Sequence, residues 1–226
     1  MDVIKEKSRG SLIVISGPSG AGKGTIIKEF LNIHERSWLS ISCTSRAPRP
    51  GDKEGETYYF LSKEEFETMI KNNEFLEYAE YNGAYYGTPK KYIDDRLNSG
   101  IDVILEIEVQ GALKVRELLP EAICIFILPP SMSELRRRLT CRGTETKDKV
   151  LSRFKRAYQE INEVKDYNYV VVNDTVENAV QKIKSILIAS KCSVDRIESI
   201  YLDNQEEEIH EILMDKTFEN RDIHID

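Results

Sequence analysis

Residues 17–23 read Gly-Pro-Ser-Gly-Ala-Gly-Lys, a G-x-x-x-x-G-K pattern. Glycines at these positions let successive backbone N–H groups point into one concavity, and a helix opening there adds roughly half a positive charge. A lysine in the last place reaches the β- and γ-phosphates of a bound nucleotide. Gly17, Pro18, Ser19, Gly20, Ala21, Gly22 and Lys23, with Gly24 and Thr25 after them, are therefore expected to cradle a nucleoside triphosphate. The hydroxyl that usually follows the lysine arrives one position late, because Gly24 precedes Thr25, which puts direct Mg²⁺ ligation by this loop in question. Further along, Arg46 and Arg49 stand three apart on a stretch stiffened by Pro48 and Pro50. Two guanidiniums so placed suit one phosphate group, and Tyr58 and Tyr86 offer hydroxyl donors to it. The plainer alternatives are a Gly-rich turn capping a helix, solvated loop arginines and tyrosines packed in strands.

These residues need elements to hold them. Leu12-Ile13-Val14-Ile15 is a continuous apolar run, typical of a strand buried on both faces, and a helix is expected from about Lys23 to Ile33. Ser40–Cys43, Val103–Ile107, Ala122–Leu128 and Tyr169–Val172 read as further strands, and Val109–Leu118, Met132–Thr140, Lys147–Lys165 and Val176–Ser190 as helices. Five apolar strands alternating with helices imply an α/β fold with a parallel sheet covered on both faces. Between Tyr58 and Gly87 the pattern changes to two strands (Tyr58–Phe60, Phe75–Tyr81), a short helix near Lys63–Lys71 and a hairpin turn from Asn82 to Gly87. That stretch reads as a small α+β insertion.

Composition narrows the function classes. The 226 residues carry a net charge of −7, but residues 191–226 hold 4 basic and 11 acidic side chains, leaving 28 of each in residues 1–190. A neutral body argues against a duplex-DNA surface. Cys43, Cys124, Cys141 and Cys192 form no CxxC pair and have no histidine at zinc spacing, so neither a disulfide framework nor structural zinc is expected. Of three histidines, His210 and His224 lie in the acidic segment and His34 reads as the surface end of a helix, which leaves little for a histidine-based mechanism. No apolar run approaches the roughly 20 residues that span a bilayer. The expectation is a soluble cytoplasmic protein without membrane or nucleic-acid partners, with monomer and homo-oligomer both open.

Beyond the loop, Thr44-Ser45-Arg46-Ala47-Pro48-Arg49-Pro50-Gly51 with Gly55 and Tyr58-Tyr59-Phe60 resembles the guanylate kinase signature. So do Phe75-Leu76-Glu77-Tyr78, Tyr85-Tyr86-Gly87-Thr88, Leu105 to Gly111, Phe126 to Pro130, Arg142 to Thr146 and Val172-Asn173-Asp174. The resemblance covers about residues 10–190, and residues 191–226 form an acidic extension outside it. It implies a P-loop NTPase-type core (10–43, 89–130, 159–190), a nucleoside-monophosphate-binding insertion (44–88) and a helical lid (131–158). It implies phosphorylation of GMP by ATP with Mg²⁺ held largely through water. In the family's arrangement Glu77 accepts the two adjacent guanine donors, which adenine lacks, with Ser42 and Thr88 near O6 and Glu108 toward the 2-amino group. Arg46, Arg49, Tyr58 and Tyr86 take the GMP phosphate, and Lys23, Arg46, Arg138, Arg142 and Arg153 serve the transferring group. Asn173 corresponds to a position touching the adenine of ATP.

Two departures from the family pattern stand out. Gly24-Thr25 replaces the usual order, and Glu106-Ile107-Glu108 stands where Asp-x-Asp is common. Glu106, with Thr25, is expected toward Mg²⁺ through water. Residues 131–158 carry nine basic and three acidic side chains, of which Arg136, Arg137, Lys155 and Arg156 read as surface or helix-packing residues. Two other readings are a kinase for AMP, UMP or dTMP, and a scaffold domain that binds phosphopeptides. The first lacks a use for the Glu77, Ser42 and Thr88 set; the second generally has a degraded phosphate loop. From Asp195 to Lys216, apolar residues at helical spacings predict a helix with a frayed end.

Overall fold

In a computed structural model, residues 4–6, 9–81, 83–140 and 147–200 are described, and contacts divide the chain into two units, residues 8–190 and residues 1–7 with 191–226. The elements are β1 (Ile4–Glu6), β2 (Leu12–Ser16), α1 (Lys23–Ile33), β3 (Ser37–Leu39), β4 (Cys43–Thr44) and β5 (Tyr59–Phe60). They continue as α2 (Lys63–Lys71), β6 (Phe75–Tyr81), β7 (Ala84–Pro89), α3 (Ile93–Asn98), β8 (Asp102–Glu106) and α4 (Val109–Leu118). The last are β9 (Ile123–Leu128), α5 (Met132–Thr140), α6 (Lys147–Asn162), β10 (Tyr169–Val172), α7 (Val176–Lys191) and β11 (Ile197–Ile200).

Side-chain alternation explains why the apolar runs form a sheet buried on both faces. Ile13, Ile15, Ile104, Ile123, Ile125 and Ile127 point to one side, where they meet Ile26, Ile27 and Phe30 of α1 and Ala179, Val180, Ile183 and Leu187 of α7. Leu12, Val14, Val103, Leu105, Cys124 and Phe126 point to the other, onto Ile93 and Leu97 of α3 and Val109, Ala112 and Val115 of α4. Each such fully buried aliphatic side chain contributes about 1.5–3 kcal/mol relative to exposure. The strand order is β10-β9-β2-β8-β3, and every pairing is parallel. This is the P-loop NTPase-like α/β architecture. Strand order reverses beside β2, so a crevice opens at the carboxyl ends of β2 and β8.

The insertion is a second sheet, β5-β4-β7-β6, packed on α2. Phe66 of α2 stacks on Phe75 and Tyr85 with ring centroids 4.4 and 5.2 Å away, and Ser62 and Glu65 close a capping box at the start of the helix. The predicted strand Ser40–Cys43 is corrected. The core strand lies earlier, at Ser37–Leu39, and Cys43 joins Thr44 in the insertion sheet. Trp38 and Leu39 find Val103 and Ile104 as neighbours, whereas Cys43 is drawn into the aromatic cluster of Phe66 and Phe75. The core–insertion boundary therefore falls before Cys43. Helix α3 went unread, and His34, read as a surface residue, closes the end of α1 with Nε2 2.8 Å from Oδ2 of fully buried Asp102.

Helices α5 and α6 pack through Leu135, Leu139 and Ala157, all buried. In the other unit, Ile197–Ile200 is a strand antiparallel to Ile4–Glu6, not the start of the expected helix. β-Branched residues and a partner strand from the far end of the chain outweigh helical spacing there. Residues 201–226 of that prediction lie outside the described residues. Among described residues no helix is long and apolar enough to cross a membrane.

Candidate active site

The loop after β2 is shaped by its glycines. Gly17 has φ 140° and lies so close to the Ile127 carbonyl that a Cβ would collide with it; Gly22 has φ 92° and would meet the Asn173 amide. Such conformations are open to glycine at no steric cost. Helix α1 starts directly after Gly22, with its free N–H groups facing the loop. Lys23 Nζ folds back over that loop, donating to the carbonyls of Gly17 (2.6 Å) and Pro18 (3.3 Å). Desolvation pushes its pKa down, while Glu106 and Glu160 act in the opposite direction.

Two arginines of α5 and α6 reach the same loop. Arg153 of α6 donates to Ser19 Oγ at 2.7 Å. Arg138 of α5 donates to the Ala21 carbonyl at 3.2 Å and to the Asn173 carbonyl at 3.4 Å, and is itself aligned by Glu134 at 2.7 Å. Asn173 is buried and donates its side-chain amide to Ala21 O at 2.7 Å, so here it braces the loop from beneath. Arg142 lies outside the described residues. Thr25 is exposed on α1 and is not among the residues lining the cleft, whereas a Cβ on Gly24 would stand 3.8 Å from Glu106 Oε2.

Across a cleft of about 390 Å³ lies the insertion. Arg46 Nη2 donates to Asp52 Oδ2 at 2.8 Å, and the Arg49 backbone N–H donates to the same oxygen at 2.7 Å. The Arg46 guanidinium lies over the Tyr58 ring, 5.4 Å from its centroid, and Tyr58 and Tyr86 meet edge to face at 5.9 Å. All four line the cleft with Ser42. At the insertion's inner wall Glu77 is 6% exposed, with Oε1 accepting from Thr88 Oγ1 at 2.7 Å. Burial pushes its pKa up to about 7 against that hydrogen bond, with Glu108 adding to the rise. Gly111 makes room for it, since a Cβ there would sit 2.6 Å from Glu77 Oε2. Glu108 caps α4, Oε1 accepting from the Gly111 N–H at 3.0 Å. Glu106, at the end of β8, lines the cleft opposite Lys23; desolvation raises its pKa and Lys23 opposes the rise.

The structure thus gathers Gly17, Ser19, Lys23, Ser42, Arg46, Arg49, Tyr58, Glu77, Tyr86, Glu106 and Glu108 around one space. It adds residues the sequence reading passed over. Tyr81 and Glu160 line the cleft, and Arg156 stands over Tyr81 rather than on an outer surface. Ser40 lines it with a buried hydroxyl that has no hydrogen-bond partner, and Asp52 aligns Arg46. A signal for Glu160 existed in the i, i+3, i+7 spacing of Arg153, Arg156 and Glu160, which sets all three on one helical face. Among the described residues no group of three or more His, Cys, Asp or Glu side chains forms a metal cage. Cations and carboxylates lining one cleft, with no histidine among its described lining residues, suit the handling of phosphates rather than nucleophile–base chemistry.

Comparison with known proteins agrees with this arrangement. The guanylate kinase family profile matches residues 9–190. The chain is 56% identical over 207 residues to a protein of Clostridium acetobutylicum named guanylate kinase, covering 92% of this chain and 99% of that one. It is 58% identical over 207 residues to the protein of that name from Clostridium tetani, with the same coverage. The crystal structure of guanylate kinase from Anaplasma phagocytophilum superposes with a TM-score of 0.73 at 34% identity, covering 96% of this chain and 98% of the other.

Proposed function

The chain belongs to the guanylate kinase family, and from that premise we propose that it transfers the γ-phosphoryl group of ATP to GMP, giving ADP and GDP. The observation that carries the acceptor is Glu77. A carboxylate buried at the inner wall, steadied by Thr88, accepts N1–H and the 2-amino group of guanine together, and adenine offers it neither. Ser42 and Glu108 flank it, with Thr88 directly on it. Arg46 and Arg49, with Tyr58 and Tyr86, line the same cleft as Glu77 and Lys23 and would hold the GMP phosphate there.

The attacking group is a phosphate oxygen, ionised near neutral pH, so transfer needs no general base. The barrier is repulsion between two anions and their misalignment. Lys23 and the loop N–H groups hold the triphosphate, Arg46 and Arg49 hold the acceptor, and Arg138 and Arg153 enclose the transferring group; Arg142 takes the same role in this proposal. Transfer in line is part of this proposal, supported by phosphate-binding groups of the loop after β2 and of the insertion lining one cleft.

Mg²⁺ bound with ATP would neutralise charge on the phosphate oxygens. Glu106 fits that ion as a hard oxygen donor beside the loop, acting through water, since among the described residues no cluster of metal-binding side chains surrounds the position. The adenine would lie toward Asn173. A cytoplasmic setting belongs to the same proposal and is supported by Cys43 and Cys124, buried as free thiols.

The test is ADP release from Mg·ATP with GMP, AMP, UMP and dTMP as separate acceptors. Turnover with GMP alone is the expected result. Turnover with another nucleotide would keep the fold and remove Glu77 as the guanine reader. No turnover with any acceptor, from folded protein, would make a binding domain the better reading.

A further inference from the structure

One face of α6 is turned toward the cleft. Arg153, Arg156, Ala157 and Glu160 follow at i, i+3, i+4 and i+7, and Ala157 is buried against Leu135 and Leu139 of α5, which fixes the helix's rotation. Arg153 touches the phosphate loop at Ser19. One turn later, Arg156 lies against the other substrate's pocket. Its guanidinium carbon stands 3.7 Å from the centroid of the Tyr81 ring, Nε donates to Glu160 Oε1 at 2.8 Å, and Nη2 is 3.8 Å from Glu108 Oε2.

These contacts connect three parts of the chain. Tyr81 ends β6, the strand that carries Glu77 four residues earlier. Glu108 opens α4 with one carboxylate oxygen committed to the Gly111 N–H, so the oxygen facing Arg156 is the one left to turn. Glu77, Glu106, Glu108 and Glu160 all line the cleft, and Arg156 is the guanidinium beside two of them. A planar cation stacked on an aromatic face and paired with carboxylates is held in place far better than a solvated arginine. Arg156 retains about a third of its side-chain exposure, with 34% accessible, so its removal leaves no large hole.

We propose that Arg156 is a positioning residue for the acceptor nucleotide: stacked on Tyr81 and facing Glu108, it fixes the far wall of the base pocket. The proposal rests on the assignment of GMP to that pocket. Arg156 makes no contact with the phosphate loop among its described partners, so its effect falls on acceptor binding and leaves ATP binding to Arg153 and Arg138. Tyr81 supplies a ring face, and its hydroxyl is dispensable to this role.

The experiment uses the full chain and four variants, Arg156→Gln, Arg156→Lys, Tyr81→Leu and Tyr81→Phe, with KM for GMP, KM for ATP, kcat and thermal midpoint measured for each. Arg156→Gln and Tyr81→Leu should each raise KM for GMP about tenfold, with KM for ATP and kcat within about threefold of the parent. Tyr81→Phe should restore most of the loss, because it keeps the cation on an aromatic face, and Arg156→Lys only part of it, because an ammonium is not planar and cannot face both carboxylates from one stacked group. The double variant Arg156→Gln/Tyr81→Leu should be little worse than either single one, as expected for one shared contact. KM for GMP within twofold of the parent in Arg156→Gln would overturn the proposal. So would a parallel fall in kcat, ATP affinity and thermal midpoint, which marks a purely structural role. A parent protein that phosphorylates another acceptor instead of GMP defeats the functional assignment, visible before any variant is compared, and this proposal with it.

Discussion

Replacing Gly111 by alanine separates what the helix needs from what the pocket needs. Gly111 sits in the first turn of α4 with ordinary helical backbone, and its N–H donates to Glu108 Oε1, a bond alanine keeps. On propensity alone Gly→Ala in a helix stabilises by up to about 1 kcal/mol. The new methyl, however, would stand 2.6 Å from Glu77 Oε2 and 3.1 Å from its carboxyl carbon, well inside contact distance. The carboxylate must swing away, which strains or breaks its 2.7 Å bond to Thr88, worth about 1.5–3 kcal/mol for a charged acceptor. The propensity gain offsets only part of that, so global stability should fall by about 0.5–3 kcal/mol. The functional loss should be selective. A bidentate carboxylate–guanine contact discriminates by about 1–3 kcal/mol, so its displacement should raise KM for GMP by about 5- to 150-fold. KM for ATP, measured at saturating GMP, should stay within twofold. Initial-rate kinetics and a thermal melt on the same preparation read both quantities. An unchanged KM for GMP would refute the placement of Glu77 as base reader, and an equal rise for both substrates would show a general distortion instead.

Because burial holds Glu77 near pKa 7 in the ligand-free protein and only the ionised form accepts both guanine donors, GMP affinity should fall toward tenfold per unit as pH drops below about 7. Calorimetry in buffers of different ionisation heat should show a proton released on binding, and Glu77→Gln, weaker for GMP throughout, should lose that component while keeping whatever the GMP phosphate itself contributes. Lys23→Ala should lower kcat by at least about 10²–10³-fold with GMP affinity by calorimetry nearly intact, since the amine faces the loop rather than the acceptor pocket; loss of GMP binding in that variant would place Lys23 wrongly. Small-angle scattering should show compaction with GMP plus a non-hydrolysable ATP analogue, from closure of residues 44–88 and 131–158; an unchanged radius of gyration would exclude closure.

What the sequence made legible was local. The G-x-x-x-x-G-K loop between a buried strand and a helix is written in neighbouring residues, and the structure holds it as expected. The double-sided burial of β2, β8 and β9 follows from continuous apolar runs, which alternation then divides between two helix layers. Glu77 was different. By residue type it resembles a solvated carboxylate, although it shares a strand face with Phe75 and Ala79, and only the family likeness singled it out. Its burial arises because α4, over 30 residues later, presents Gly111 and leaves room for it. Arg156 and Glu160 form an i, i+4 pair on a basic amphipathic helix, a pattern that normally faces solvent; only packing against Tyr81 reveals its direction. The shifted third strand has a similar cause. Cys43 belongs to whichever sheet offers it apolar neighbours, and Phe66 and Phe75 are not adjacent in sequence. Helix α3 has two inward residues, Ile93 and Leu97, too few for periodicity to register.

The ligand-free cleft answers its own charges before any substrate arrives. Lys23 rests on the Gly17 and Pro18 carbonyls, Arg46 on Asp52, Arg138 on Glu134 and the Ala21 carbonyl, and Arg153 on the Ser19 hydroxyl. Few cations in the cleft are left without a protein partner, as the cost of burying unpaired charge requires. Substrate phosphates therefore exchange partners with groups already satisfied, and the net gain is the difference between two charge-assisted contacts rather than the whole of either. Such exchange favours any phosphate and cannot choose among bases. Discrimination must come from a group whose ligand-free state is less content, and Glu77 fits that description. Burial disfavours its charge and Glu108 adds to that effect, while Thr88, through its hydroxyl and its backbone N–H, and Lys114 oppose it. A ligand bringing two N–H donors stabilises the ionised form that the empty pocket resists, whereas one bringing an acceptor adds repulsion. Under the proposed function, specificity resides in one carboxylate and phosphate affinity in the cations, so acceptor choice and phosphate binding should separate cleanly under mutation.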